Sequence, residues 1–258
     1  MAVDKEFLYE AYIVQDRSER EIAKELNVTV ATIDYYVRKY NLNIKRSNPD
    51  LVFNLKHIDK TDPIFCYFAG LLATDGYFDY KNKRISIRVN NIGSKEVFES
   101  LRNYFEYIRP VRCYDREDVK RPLYDLTIPN SCIFEELKKM GIYGKKDSRS
   151  FSTEWFMGAS KECQQMFLRG ILDGDGCIND KSFRIAMKSV DFVANIAEVV
   201  NTMLNVNYSV KVQTNQTKTE YPLFYMRKED SRKLLDFIYE GFDSFRFLDK
   251  YNKYMSIR

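Results

Sequence analysis

Two stretches, Phe68-Ala-Gly-Leu-Leu-Ala-Thr-Asp-Gly76 and Leu168-Arg-Gly-Ile-Leu-Asp-Gly-Asp-Gly176, read almost alike and lie 100 residues apart. Each is an apolar run with small residues four apart, Gly70 with Thr74 and Gly170 with Gly174, which a helix brings to one face. Two such faces predict two helices packed at very short range. Small-residue faces of this kind are best known from membranes. The apolar run Ile64 to Ala73 is, however, far short of the roughly 20 residues that a membrane span needs. An Asp-Gly pair closes each copy, Asp75-Gly76 and Asp175-Gly176, and the glycine is expected in the left-handed turn that ends a helix.

Each helix therefore ends in a carboxylate, at the pole of the helix that already carries partial negative charge. Side by side, two such ends repel, and a divalent cation relieves both problems. Carboxylates with free backbone carbonyls are hard oxygen donors, which suit Mg2+ or Mn2+ with waters completing the shell.

The repeat extends well beyond the motif. Lys81/Lys181, Arg84/Arg184, Ile85/Ile185, Pro122/Pro222, Leu123/Leu223, Ser131/Ser231 and Gly141/Gly241 keep the offset of 100. Both copies read as motif helix, two strands, middle helix, two strands and a further helix. In the first, Ile85, Ile87 and Val89 alternate with Arg84, Ser86, Arg88 and Asn90. In the second, Ile185 and Met187 alternate with Arg184, Ala186 and Lys188. That period of two predicts sheets with one apolar and one basic, polar face. The later strands are expected to repeat it, Val210 and Val212 against Lys211 and Gln213, and Phe224 and Met226 against Tyr225 and Arg227. A polar face of this kind is either a solvated outer surface or a surface that lies in a DNA groove.

These residues resemble the LAGLIDADG homing endonucleases, from about Ile64 to the end of the chain. The resemblance implies an α+β fold with two pseudo-symmetric αββαββα repeats whose sheets straddle double-stranded DNA. It makes Asp75 and Asp175 the metal-binding, catalytic aspartates, with the carbonyls of Thr74 and Gly174 as further ligands of Mg2+, for which Mn2+ substitutes. It puts polar residues at the end of the second strand, Asn91 and Asp191, and basic ones near the last helix, Lys145 or Lys146 and Lys250, beside the scissile phosphates. DNA contacts are expected from Arg84, Ser86, Arg88, Asn90 and Arg112, and from Arg184, Lys188, Lys211, Gln213 and Arg227. Motif one departs from the family pattern at Ala73 and Thr74, which bears on helix packing rather than on the metal. Asp173, found only in the second copy, is assigned to structure. Two motifs in one chain imply a monomer with a long asymmetric target, cut to short 3′ overhangs.

The first 48 residues lie outside the repeat. Ser18 with Glu21 spells a capping box before a helix carrying Ile22, Ala23 and Leu26. After Asn27-Val28-Thr29 a second helix carries Ile33, Tyr36, Val37 and Tyr40, and Leu8, Tyr12 and Ile13 supply a preceding one. The unit resembles a helix-turn-helix domain. Arg38, Lys39, Lys45 and Arg46 are placed for phosphate contact, and Thr29, Thr32, Tyr35 and Tyr36 for base edges. The expected division is residues 1–48 for this domain, 49–62 for a linker, 63–150 for the first repeat and 151–258 for the second.

Composition narrows the alternatives. A net charge of +4 requires any nucleic-acid surface to come from local arrangement. Cys66, Cys113, Cys132, Cys163 and Cys177 are odd in number without C-x-x-C spacing, which speaks against zinc and a disulfide framework. The lone His57 excludes nuclease classes built on several histidines, and Gly141-Ile142-Tyr143 has no partner motif. Met1 to Glu10 carries no targeting segment, so a cytoplasmic, nucleoid-associated protein with no membrane contact is expected. The ends, Met-Ala and Ile-Arg, do not read as those of an intact intein. The reading is a site-specific double-strand DNA endonuclease. Its alternative is a non-catalytic transcription regulator or intron-RNA maturase on the same fold.

Overall fold

The computed structural model describes residues 3–15, 17–42, 57–82, 84–91, 93–107, 110–114, 122–129, 131–179, 182–214, 220–241 and 243–258. At the front, α1 (Lys5–Tyr9) runs on as a π-helical turn (Glu10–Val14), followed by α2 (Glu19–Glu25) and α3 (Val30–Lys39). The capping box forms as read: Ser18 Oγ accepts from Glu21 N, and the Glu21 carboxylate accepts from Ser18 N. The turn between α2 and α3 passes through Asn27 at φ 52°, a conformation asparagine tolerates better than most residues. Leu8, Tyr12, Ile13, Ile22, Ala23, Ile33, Val37 and Leu42 close a small core of their own. This is the expected trihelical unit.

The body holds α4 (Pro63–Asp75), β1 (Gly76–Asp79), β2 (Arg84–Val89), α5 (Ser94–Tyr104), β3 (Arg112–Tyr114), β4 (Leu123–Pro129), α6 (Ser131–Lys139) and α7 (Thr153–Gly158). The second half follows with α8 (Lys161–Asp175), β5 (Gly176–Asn179), β6 (Ser182–Ala186), α9 (Val190–Leu204), β7 (Ser209–Thr214), β8 (Glu220–Arg227), α10 (Lys228–Tyr239) and α11 (Leu248–Ile257). Each half is αββαββα around an antiparallel four-stranded sheet, in the orders β1-β2-β4-β3 and β5-β6-β8-β7. The helices α7 and α11 are additions to that order. Of the segment read as a linker, residues 49–56 lie outside the described residues. Ile58 is buried in the body's core, and the His57 ring lies 4.3 Å from that of Tyr104.

The two motif helices form the centre. Asp62 caps α4 by accepting from Ile64 N and Phe65 N, with Pro63 in the first turn, where its missing N–H costs nothing. Ser160 caps α8 by accepting from Cys163 N. A Cβ on Gly70 would come within 3.0 Å of Gly170 Cα, and one on Gly170 within 2.2 Å of Tyr67 O. The short-range packing inferred from the small residues is therefore what the helices do.

The Asp-Gly ending differs from expectation. Gly76 (φ −69°, ψ 138°) and Gly176 (φ −72°, ψ 142°) are extended, not left-handed, because the chain runs straight from each helix into its first strand. Glycine is needed for space instead: a Cβ would meet Leu72 O at 2.4 Å and Leu172 O at 2.5 Å.

The period of two holds for β2, where Ile85, Ile87 and Val89 are buried under the helices while Arg84 and Arg88 are exposed. It fails for β7. Val210 pairs with buried Phe224, yet Val210 and Val212, on the edge strand of the sheet, are 48% and 70% exposed.

Candidate metal and nucleic-acid site

Asp75 and Asp175 end the paired helices α4 and α8. The Asp75 carboxylate lies against the second motif: a Cβ added to Gly174 would be 3.2 Å from Asp75 Oδ2 and would overlap Thr74 Oγ1 at 2.0 Å. Burial, and then the charge of Asp175, push the Asp75 carboxyl up to about 6, and burial also raises Asp175. Lys146 and Lys250 act in the opposite direction on both aspartates. Lys146 Nζ stands 3.8 Å from Asp75 Oδ1, and Lys250 Nζ donates to Gly176 O. Lys145, the alternative to Lys146, is exposed and only caps a 3-10 turn.

Asn91 Nδ2 lies 3.5 Å from Asp173 O, one residue before Gly174. Its expected counterpart Asp191 is not at a strand end. It sits in the first turn of α9, capped by Ser189, because β6 stops at Ala186 and the following turn is shorter than in the first half.

Asp173 ties elements together, as its assignment to structure anticipates. It accepts from Tyr67 OH at 2.7 Å and from Phe247 N at 3.0 Å, so it holds the start of α11, which carries Lys250. Burial raises its carboxyl to about 7.

Arg149 was not singled out by the sequence. It is 2% exposed, and Nη1 donates to Leu72 O, Ala73 O and Gly76 O at 2.7, 3.2 and 3.1 Å. It thus serves Gly76 O in the first half as Lys250 serves Gly176 O in the second. Nothing in Lys145-Lys146-Asp147-Ser148-Arg149 marks the last residue as buried. Arg149→Met should lower stability by about 2–3 kcal/mol, because three buried carbonyls lose a charged donor. A urea titration checks this.

Each aspartate opens onto a groove over its own sheet. The first, about 520 Å³, is lined by Asp75, Tyr77, Arg84, Ser86, Arg88 and Arg112. The second, about 180 Å³, is lined by Asp175, Cys177, Arg184, Gln213, Tyr221 and Leu223. In the first groove Arg84 and Arg88 have carboxylate partners: Arg84 with Asp79 at 3.7 Å, and Arg88 with Asp125, which is 1% exposed. No motif marks Asp125 in the sequence, although its alternation with Leu126 and Ile128 assigns it to this face. In the second sheet Lys211 Nζ stands 5.0 Å over the Tyr225 ring. Arg227 starts α10 at the sheet end away from Asp175, opposite Ser182. Lys188 pairs with Asp147 at 3.5 Å, and Asn90 is exposed just past β2.

In the front unit, Thr29 Oγ1 accepts from Thr32 N, Tyr35 is 57% exposed, and Arg38 pairs with Asp34 at 3.0 Å. Lys39 Nζ lies 5.4 Å from the Tyr36 ring. Lys45 and Arg46 lie outside the described residues.

Among the described residues no group of three or more His, Cys, Asp or Glu converges. The donors at the helix ends are two carboxylates and main-chain carbonyls, an all-oxygen set that fits Mg2+ or Mn2+ with water rather than zinc. Two half-buried carboxylates, both raised by desolvation, are also short of positive charge. Among the described residues no helix is long and apolar enough to cross a membrane.

Residues 162–239 match the family model described as a LAGLIDADG-like domain. Residues 18–60 match that of the MerR HTH family regulatory protein. Ribonucleoside-diphosphate reductase NrdEB subunit alpha of Bacillus subtilis (strain 168) is 22% identical over 173 residues, 62% of this chain and 16% of that protein. The protein of the same name from Bacillus phage SPbeta matches equally. This chain thus spans about a sixth of the length of these relatives. The homing endonuclease I-WcaI bound to its DNA recognition sequence superposes with TM-score 0.55 at 15% identity, over 82% of this chain and 92% of that one. I-DmoI with its target DNA in the presence of magnesium gives TM-score 0.50 at 16% identity, over 71% and 99%. These likenesses establish the fold.

Proposed function

We propose that this chain, a protein of the LAGLIDADG fold with a helix-turn-helix unit ahead of it, is a site-specific double-strand DNA endonuclease. The observation that carries this reading is the pairing of two half-buried aspartates at the helix ends, each opening onto its own polar groove. Asp75 and Asp175, with the carbonyls of Thr74 and Gly174, would hold Mg2+ or Mn2+. The ion would supply an acidified water and charge neutralisation at the scissile phosphate.

The chain's own residues provide the rest. Lys146 beside Asp75 and Lys250 on Gly176 O put one cation in each half where phosphate charge would develop. Asn91 would orient a phosphate or water at the first-half site. The polar faces of the sheets would read bases. Arg88, held by buried Asp125 and 5.9 Å from the Tyr114 ring, is fixed for bidentate contact with guanine. Asp125→Asn should therefore lower discrimination at one base pair by about 1–2 kcal/mol while nonspecific affinity holds. Competition binding against a substituted-site panel in Ca2+ would measure it. The helix-turn-helix unit would extend the target by tethered binding.

The MerR-type match of residues 18–60 favours a second reading, a regulator that binds without cutting. One experiment separates them. Duplexes selected from a random library in Ca2+ are transferred to Mg2+ or Mn2+, and their ends are mapped. Double-strand cuts with short 3′ overhangs support the nuclease. Tight, sequence-selective binding to duplexes that stay intact in both metals supports the regulator.

A further inference from the structure

At the far end of the motif helices, away from the aspartates, two thiols meet. Cys66 lies in α4, nine residues before Asp75, and Cys163 in α8, twelve before Asp175. At 1.5 Å per residue that puts them about 14 Å and 18 Å along their helices from the carboxylates. Both are buried, at 0% and 1% exposure. Their sulfurs face consecutive carbonyls of one loop, Cys66 Sγ donating to Lys60 O at 3.3 Å and Cys163 Sγ to Thr61 O at 3.2 Å. The two sulfurs thus sit on neighbouring carbonyls just ahead of the Asp62 cap of α4.

The two cysteines are not alike. Cys163 occupies the first turn of a 15-residue helix, capped by Ser160, where free N–H groups and the helix pole favour a thiolate. The hydrogen bond from Cys66, and further that from Ser160, lower the Cys163 thiol to about 7 despite burial. The Cys66 thiol moves far up, through its bond to Cys163 and its burial. Access is unequal too. A groove of about 490 Å³, lined by Lys60, Thr61, Ser152, Trp155, Ser160 and Cys163, reaches Cys163. The described face of that groove does not include Cys66.

We propose that Cys66 and Cys163 form a peroxide-responsive dithiol, with Cys163 as the attacking thiol and Cys66 as the resolving one. The Cys163 thiolate attacks one oxygen of a hydroperoxide. A sulfur–oxygen bond forms, the oxygen–oxygen bond breaks, and the leaving oxygen takes a proton to become an alcohol, or water from hydrogen peroxide. Cys163 is then a sulfenic acid. Cys66 gives up its proton as its sulfur attacks the Cys163 sulfur, the sulfur–oxygen bond breaks, and hydroxide leaves as water. Two thiols are oxidised by two electrons and the peroxide is reduced. The disulfide staples α4 to α8 and closes a loop of almost one hundred residues, a long constraint on the unfolded chain. All five cysteines are free thiols in the structure.

The test uses the full-length chain, reduced, treated with a small excess of hydrogen peroxide, alkylated and mapped by mass spectrometry. A Cys66–Cys163 peptide lighter by two hydrogens and restored by dithiothreitol is expected. The oxidised chain should melt higher by about 5 °C or more. In Cys66→Ala, Cys163 should stop at the sulfenic acid and be trapped by dimedone. If that variant does not fold, the wild-type map alone decides. The proposal is overturned if Cys66 and Cys163 stay fully alkylatable after unfolding while exposed Cys113 is oxidised. A Cys163 disulfide to any cysteine other than Cys66 overturns it as well.

Discussion

Gly170→Ala should cost the body about 4 kcal/mol or more, the largest loss expected from any single methyl group in this chain. The added Cβ would lie 2.2 Å from Tyr67 O and 2.8 Å from Leu71 N. Both are main-chain atoms of the facing helix, so no rotamer change removes the overlap, and α4 and α8 must separate. Parting them strips contacts from Phe65, Phe68, Phe167 and Ile171, all buried at 0–1%, and small gaps in such packing are costly. Gly174→Ala is expected to be milder, since its closest clash is with the Thr74 side chain. Gly158→Ala is the control, with nothing within 4 Å of the new methyl. Urea unfolding followed by near-ultraviolet circular dichroism ranks the three. An unchanged midpoint for Gly170→Ala would contradict helix packing at this range.

Much of the architecture was legible because it is written twice. An offset of 100 between matching residues turns weak strand signals into strong ones, and the αββαββα order follows in both halves. What the repeat could not convey is where the halves differ. Arg149 and Lys250 do related work on Gly76 O and Gly176 O, yet they are different residues at an offset of 101, and only the folded chain pairs them. Asp191 failed for the same reason, its turn being shorter than the one after β2. The strand period said which face Val210 and Val212 belong to, not how far the helices would cover that face. Lys145 and Lys146 were indistinguishable in sequence, and a 3-10 turn at Lys146–Ser148 decides which of them reaches Asp75.

The second large effect is expected at the aspartates themselves, and it separates a metal site from a pair of half-buried acids. Under the proposed function, Asp75→Asn or Asp175→Asn should reduce cleavage by more than ~10³-fold, while binding in Ca2+ changes little. Stability supplies an independent readout. Asp75 titrates at about 6 in the fold against 3.8 as its ordinary value, so the folded chain binds more protons than the unfolded one between those pH values. Stability therefore falls as pH rises from about 4 to 6, and above 6 the ionised carboxylate carries its full cost, about 2–3 kcal/mol without metal. Asparagine removes that cost. In chelator at pH 8, Asp75→Asn should melt above the wild type, and near pH 4 the difference should vanish. Magnesium at one thousand times its dissociation constant should reverse the order at pH 8, stabilising only the chain that keeps both carboxylates, by about 4.1 kcal/mol. That gain should weaken below pH 6, where protons compete for Asp75. Equal stabilisation of wild type and the double asparagine variant by Mg2+ would remove these aspartates from the metal site, whatever the cleavage assay reports.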